Sequence, residues 1–309
     1  MISVAIATYN GEKYILAQIN SILEQTISDF EIVVCDDNSS DSTLEILSSL
    51  CSKDKRIKLF KNKENLGFKK NFEKIINLCT GDYVAFCDQD DIWLPNHLEF
   101  LMSIIGENDL AGANSMLIDS DGNSLGITLL DTKKQERLPK TSDEYIRTIC
   151  YSNIFQGTAS LFRRSFLINN MPIPNNIIYH DWWFAINSAL SNSIIYDRNV
   201  ILLYRQHNNN VTENRKFNAA RKILVCLFNK KHKSLVKSHL LSQKNMLFNI
   251  KTKTNNIYVD EAYNYYTNLL RKNRLKNIGV FFRNYNYMYC TNKRGILFIM
   301  RLFQMLFIG

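Results

Sequence analysis

Three carboxylates, Asp88, Asp90 and Asp91, stand directly after an apolar run and just before Trp93 in the segment AFCDQDDIWLP (85–95). Unpaired carboxylates are costly to bury, so such a cluster is either solvated in a turn or neutralised by a cation. Asp88-Gln89-Asp90 has the spacing that lets two carboxylates in a turn share a hard divalent cation with a phosphate. A calcium loop of the EF-hand type is excluded. It requires Gly at the sixth position and an oxygen donor at the fifth, where Trp93 and Ile92 stand, although Glu99 fills the twelfth. The tripeptide alone leaves the solvated turn and the cation site both open. Two further carboxylate groups deserve the same question: Asp36 and Asp37 at the end of EIVVCDD, and Asp181 in YHDWW. A carboxylate opening a helix can cap it, or, kept ionised there by the helix dipole, can act as a general base.

These groups need a scaffold. SVAIAT (3–8) reads as a buried strand followed by an amphipathic helical stretch to about Gln25, and EIVVCDD (31–37) as a second strand followed by a helix from Asp41 to about Cys51. Ser39 or Ser40 is placed to cap that helix, with Asp41 near the positive end of its dipole. RIKLFKN (56–62), a helix around 68–79 and DYVAFCD (82–88) continue the alternation. The pattern predicts an α/β fold with a mainly parallel sheet covered on both faces by helices. Ligands of such sheets bind beyond the carboxyl ends of the strands. Thr8, Tyr9 and Asn10, then Asp36 and Asp37, then the acidic cluster at 88–91 are therefore expected around one crevice. Further on, Asp121-Gly122 marks a hairpin turn. FQGTASLFRR (155–164) reads as a strand in which Gly157 permits close backbone approach, HDWWFAINSAL (180–190) as a short helix, and SIIYDRNVILLYRQH (193–207) as a strand that closes the sheet.

Size and charge bound the rest. With 309 residues, 46% of them hydrophobic, the chain can bury one large core or a core plus an appendage, and disorder is excluded. From Lys216 onward there are 18 Lys and Arg against two acids, a balance of +16, whereas residues 1–215 hold 20 basic and 27 acidic residues, a balance of −7. This division predicts a body at 1–215 and a basic helical region at 216–309 whose natural partner is an anionic surface. The region ends in RGILFIMRLFQMLFIG (294–309), too short to cross a bilayer but suited to lying in its interface; packing on the body or on a second subunit is the plainer reading. Nucleic acid is not expected, because the body is acidic and no recognition motif is present. Seven scattered cysteines without a C-x-x-C point to a reducing cytosol, and the first residues read as a strand and not a signal peptide. The expected location is cytoplasmic, peripheral on the inner face of the cell membrane.

In combination, ATYNGEKYI, VVCDDNSSDSTLEIL, ENLGFKKNF, GDYVAFCDQDDIWLP and HDWW, in this order and at these distances, resemble the inverting glycosyltransferases of family 2, which have the GT-A fold. The resemblance covers about residues 2–210, and DQDDIW and YRQHNNNV are most similar to the rhamnosyltransferase-like branch. It implies that Asp37, with Asp36, accepts the imide hydrogen bond of uracil or thymine, and that Thr8 and Tyr9 line the base and ribose. Asp90 would ligate Mg²⁺ or Mn²⁺ on the diphosphate, Asp88 would reach the ribose or a metal-bound water, and His207 would ligate the metal or contact the diphosphate with Arg205. Asp181 would be the catalytic base. The implied partners are a dTDP- or UDP-linked sugar donor and a glycan or lipid-linked acceptor of bacterial surface polysaccharide synthesis, O-antigen or capsule.

Each assignment has a plainer counterpart. Asp181 also reads as a helix cap and His207 as a structural histidine; Trp93, Trp182 and Trp183 are suited to stacking on a sugar or lipid acceptor but also read as core aromatics, and Arg163 and Arg164 read as phosphate contacts or as surface charges. His180 stands where the family often has an acid. A sugar-1-phosphate nucleotidyltransferase should carry a Gly-rich basic loop after the first strand, and TYNGEKY has one Gly. A glycoside hydrolase has no use for a nucleotide crevice. A non-catalytic protein binding through its basic tail is the alternative from a different class.

Overall fold

Apolar residues alternating along short strands build a nine-stranded sheet in the computed structural model, which describes residues 1–133, 135–207, 230–271 and 273–288, together with 302. Strands β1 (Ile2–Thr8), β2 (Phe30–Asp36), β3 (Ile57–Lys61) and β4 (Tyr83–Cys87) are all parallel and lie in the order β3-β2-β1-β4. Helices α1 (Ile15–Leu23), α2 (Thr43–Lys53) and α3 (Phe68–Leu78) connect them. Val4, Ile6, Ile32, Val34, Ala85 and Cys87 share one core with Ile15, Ile19 and Ile22 of α1 and Leu47 of α2. Phe86, one residue out of step, faces the other side and meets Phe72 of α3 with ring centroids 5.1 Å apart. The period of two therefore fills both faces, which is the burial a parallel sheet requires.

The chain continues through β5 (Ile92–Trp93), α4 (His97–Ile105), β6 (Leu110–Ile118), β7 (Ser124–Thr128), α5 (Leu129–Thr132), α6 (Ser142–Tyr151), β8 (Ser160–Arg163), α7 (Arg164–Asn169), α8 (His180–Leu190) and β9 (Ile194–Arg205). β8 runs antiparallel between β4 and β6, β9 is parallel to β6, and β5 and β7 are antiparallel to β9 and β6. The sheet is thus parallel in its first half and mixed in its second.

Most expected elements are present, with three differences. FQGTASLFRR is strand only from Ser160; Gly157–Ala159 forms a 3₁₀ turn, held by Ala159 N–H and Ser160 Oγ donating to the Gln156 carbonyl. β9 does not end the sheet, because Ile92 and Trp93 pair along its outer side as β5. At the start of α2 neither Ser39 nor Ser40 is the cap. Asp41 accepts the Thr43 N–H at 3.1 Å, while Ser39 is bonded to Asp36.

Two compact units can be distinguished. The first comprises Met1–Leu130, Phe155–Ile173 and His180–Glu213 and contains the whole sheet. The second comprises Asp131–Ile154, Pro174–Tyr179 and the chain from Asn214. In the second, α9 (Lys230–Lys251) packs on α10 (Ile257–Leu270), and α6 packs on α10 and α11 (Ile278–Met288). Arg147 of α6 lies over the rings of Tyr258 and Tyr287 and donates to Asn284 Oδ1 at 3.1 Å. No described helix is long and apolar enough to cross a membrane. The segment 294–309 lies outside the described residues, Leu302 excepted.

Candidate active site

The strand order makes the crevice. The chain leaves β1 towards β2 and later returns on the other side of β1 as β4, so the loops after these two strands diverge. Thr8 and Tyr9 form one lip and Asp88 to Asp90 the other. Gln89 joins the lips: its Oε1 accepts the Tyr9 N–H at 2.9 Å and its Nε2 donates to the Tyr9 carbonyl at 3.1 Å. Gly11 leaves room for this clamp, because a Cβ there would stand 2.4 Å from Gln89 Oε1 and push the amide aside. The loops after β1 and β2 turn through Asn10 (φ 49°) and Asn38 (φ 66°), left-handed conformations that Asn tolerates better than most residues. They are stitched together by Asn10 N–H to Ser39 Oγ and by Ser40 N–H to Asn10 Oδ1.

Asp36 and Asp37 have different surroundings. Asp36 is fully buried (0% exposed) and accepts from Thr8 Oγ1 at 3.2 Å and from the Ser39 hydroxyl and N–H, so it holds the two loops together. Asp37 accepts from Asn62 Nδ2 at 2.7 Å and from the N–H groups of Leu66 and Gly67, both at 2.8 Å. Its carboxylate therefore orders the loop that enters α3. Three bonds leave roughly one of a carboxylate's four acceptor directions unused.

The acidic centre lies opposite. Asp88 is half-buried, and among the described residues no hydrogen bond reaches its carboxylate. Burial, then the charges of Asp90 and Asp181, push its carboxyl up to about 7. The structure brings Asp181, from the first turn of α8, beside the end of β4: a Cβ built on Gly157 would lie 3.6 Å from both Asp181 Cβ and Phe86 Cδ2. Asp181 Oδ1 accepts the Trp182 N–H at 2.7 Å. Asp90 Oδ2 faces His207 Nε2 at 2.7 Å, and the imidazole stacks on Tyr14 with centroids 5.2 Å apart. Asp91 plays a separate part. It is buried, its Oδ1 accepts the Arg205 N–H at 3.0 Å, and burial with its acidic neighbours raises its carboxyl well above the usual range.

Does this donor set fit a divalent cation? Among the described residues no group of three or more His, Cys, Asp or Glu side chains forms a metal cluster. Mg²⁺ and Mn²⁺ on phosphates, however, commonly take only one or two protein ligands. Asp90 Oδ2 and His207 Nε2 are hydrogen-bonded at 2.7 Å, which sets a carboxylate oxygen and an imidazole nitrogen side by side as candidate ligands. With Asp88 lacking a hydrogen-bonded counterweight, the residues present fit such an ion.

Several sequence expectations are placed differently. Arg205 is only 4% exposed; its Nε donates to the Asp90 carbonyl at 2.8 Å and its Nη1 to the carbonyls of Asp119 and Ser120. It braces the turn that carries Asp90, a positioning task that the sequence did not suggest. Trp93, Trp182 and Trp183 are core residues. Arg163 donates to the carbonyls of Gly106 and Asn108 and pairs in register with Tyr83 at the start of β4, at the sheet end away from the crevice. Gln89 and Tyr14 were not singled out from the sequence; only their position inside the DQDD and NGEKY loops hinted at them.

Comparison with known proteins decides the family. The model of Glycosyl transferase family 2 matches residues 3–170. The chain belongs to this family. A dTDP-rhamnosyl transferase, RfbG of Shigella flexneri, is 33% identical over 231 residues, 72% of this chain and 79% of that protein. With two other curated glycosyltransferases the matched part spans 34% and 53% of their length. Among solved structures, the S. aureus TarS fragment 1–349 in complex with UDP-GlcNAc superposes with TM-score 0.58 at 18% identity, covering 94% of this chain and 89% of that one. The mannosyltransferase PcManGT from Pyrobaculum calidifontis, in complex with GDP-Man and Mn²⁺, gives TM-score 0.52 at 14% identity, covering 99% and 87%. At such identities the likeness concerns the fold, which is the GT-A fold of family 2 enzymes.

Proposed function

We propose that this family 2 member is an inverting glycosyltransferase that moves a sugar, rhamnose being the leading candidate, from a dTDP- or UDP-linked donor to a hydroxyl of a glycan or lipid-linked acceptor. The observation that carries this reading is the convergence of Asp181 on the acidic turn at the mouth of the crevice between β1 and β4. Thr8, Tyr9, Asp36 and Asp37 line the nucleoside end; both carboxylates are buried and accept three hydrogen bonds each, which leaves each about one acceptor direction for the base imide. Asp90 and His207, with Asp88 beside them, would hold Mg²⁺ or Mn²⁺, which when bound supplies positive charge to the departing nucleoside diphosphate. The Mn²⁺ in the Pyrobaculum complex supports that assignment.

Asp181 performs the proton step. As the acceptor oxygen bonds to the anomeric carbon, its proton passes to the Asp181 carboxylate, and the anomeric carbon–phosphate oxygen bond breaks with its electron pair leaving on the diphosphate. Attack opposite the leaving group inverts the anomeric centre. The RfbG likeness supports a dTDP-linked donor, and the basic region at 216–309 supports an acceptor met at an anionic membrane face, with the catalytic unit on the cytoplasmic side.

A thermal-shift panel of nucleoside diphosphate sugars with and without Mn²⁺ tests the donor, because a ligand that binds only the native state raises Tm. The expected result is a Mn²⁺-dependent shift with dTDP-rhamnose and none with UDP-hexoses. A shift with UDP-hexoses alone moves the donor assignment, and a product that keeps the donor's anomeric configuration overturns the inverting mechanism.

A further inference from the structure

Two aromatic side chains in the first unit stand well out into solvent among the described residues: Tyr9 (48% exposed) and Phe68 (41%). Tyr9 follows β1 and Phe68 opens α3, both at the carboxyl end of the sheet. Phe68 is not exposed by slack in the chain. It follows Gly67, whose backbone (φ 79°, ψ 153°) occupies a region essentially reserved for glycine, and the Asp37 carboxylate takes the N–H groups of both Leu66 and Gly67. The backbone thus fixes an aromatic ring outward, with the exposed Leu66 beside it.

What this ring faces can be read from its neighbours. Its centroid is 6.0 Å from that of His180, which stacks on Phe72 at 4.4 Å and precedes Asp181 in sequence. Neither ring nitrogen of His180 has a hydrogen-bond partner among the described residues, and burial lowers its pKa to about 3, so the ring is neutral. Next to the candidate base there is therefore a mostly apolar wall of Phe68, Phe72 and the neutral His180, with the Lys69 charge near enough to act on that imidazole. Of the groups suited to a nucleoside diphosphate, Asp37 holds the backbone just before Phe68 and so marks the nucleoside side of this ring, while the Asp90–His207 pair packs against Tyr14.

We propose that Phe68, flanked by Leu66, is the acceptor platform of this enzyme, a specificity-determining residue on which the apolar face of the acceptor's pyranose ring stacks while Asp181 addresses its hydroxyl. This rests on the glycosyl-transfer reading above. The role expected of the tryptophans from the sequence falls to a phenylalanine because the three Trp rings are needed in the core.

The test uses the full chain and Phe68→Ala, with octyl glucoside, octyl N-acetylglucosaminide and octyl rhamnoside as acceptors at saturating donor. The acceptor KM is expected to rise about tenfold, the scale of one lost aromatic contact, with donor KM and slow donor hydrolysis unchanged and Phe68→Tyr restoring the acceptor KM. An unchanged acceptor KM, or an equal rise in donor KM, overturns the proposal. Saturation-transfer NMR with the same glycosides reads the platform without turnover. Signal on the pyranose ring protons that fades in Phe68→Ala supports it; signal confined to the octyl chain, undiminished in the variant, or absent altogether overturns it. A wild-type protein that turns over no nucleotide sugar overturns the glycosyl-transfer reading, and the NMR result separates that failure from failure of the platform.

Discussion

Asp181 sits where two demands meet: it lies in the first turn of α8, where an anion is favoured, and its charge helps raise the Asp88 carboxyl to about 7. Replacing it with Asn keeps the shape and the helix start but removes the proton acceptor. Asp181→Asn is therefore expected to lower transfer by about 10²–10⁴, the range of general-base assistance, while nucleotide-sugar affinity measured by calorimetry stays at the wild-type value. Lost donor affinity with near-normal turnover would make the residue a structural cap. At this scale the sequence was informative about residue types that chemistry demands. Asp37, Asp90, Asp181 and His207 all reach the crevice loops or their immediate neighbours. It was silent on residues whose use depends on where a partner stands. Arg205 and Gln89 have polar side chains that suit a ligand or a neighbouring backbone equally, and only the packing of the loops shows that both hold backbone groups.

Strands and helices were legible because period-two burial and turn residues write them into short windows: the expected ends of β1 to β4 and of α3 and α8 agree with the structure to within a residue or so. The mixed half of the sheet was less so, since a two-residue strand such as β5 has no periodicity to detect. One element-level feature has a measurable pH signature. At the amino end of the sheet Glu31 is buried and accepts from Ser3 Oγ of β1 at 2.6 Å, from Lys58 Nζ of β3 at 2.5 Å, and from the N–H and hydroxyl of Thr80 before β4. Burial alone would raise its pKa, but these four donors outweigh it and bring the carboxyl down from 4.5 to about 2. A depressed carboxyl contributes stability that is fully present above its unfolded value and is lost as pH falls through the folded one. Between about pH 5 and pH 2, then, Tm should fall more steeply for the wild type than for Glu31→Gln, with the variant less stable at pH 7. Parallel slopes in a melting series across that window would show that Glu31 contributes nothing to acid sensitivity.

The whole molecule is a polar opposition of charge, −7 in residues 1–215 and +16 in the remainder. If the basic region meets an anionic leaflet, each Lys or Arg near the surface adds about 1 kcal/mol, and the apolar residues of 295–309 add burial. Removing 295–309 should release the protein from phosphatidylglycerol-containing liposomes in a flotation assay, and about 0.5 M salt should weaken the full-length interaction, since the Debye length there is well under 10 Å. Transfer to a water-soluble acceptor should survive. A full-length protein that ignores such liposomes at low salt, or a truncation that unfolds the body, would refute membrane docking. Composition could raise this question but not answer it, because charge counts carry no geometry. The sheet itself carries a different lesson. β2 has Glu31 near one end and Asp36 at the other, so the network that ties the strands and the loops that bear the chemistry are separated by nearly a full strand of inert Ile, Val and Cys. Changes in the crevice loops can therefore accumulate without loosening the ties beneath them. A lineage on this scaffold is free to retune donor and acceptor through its loops, and a designer seeking a new sugar should leave the Glu31 end, the Gln89 clamp and the acidic turn untouched and randomise only residues 63–66 and 68.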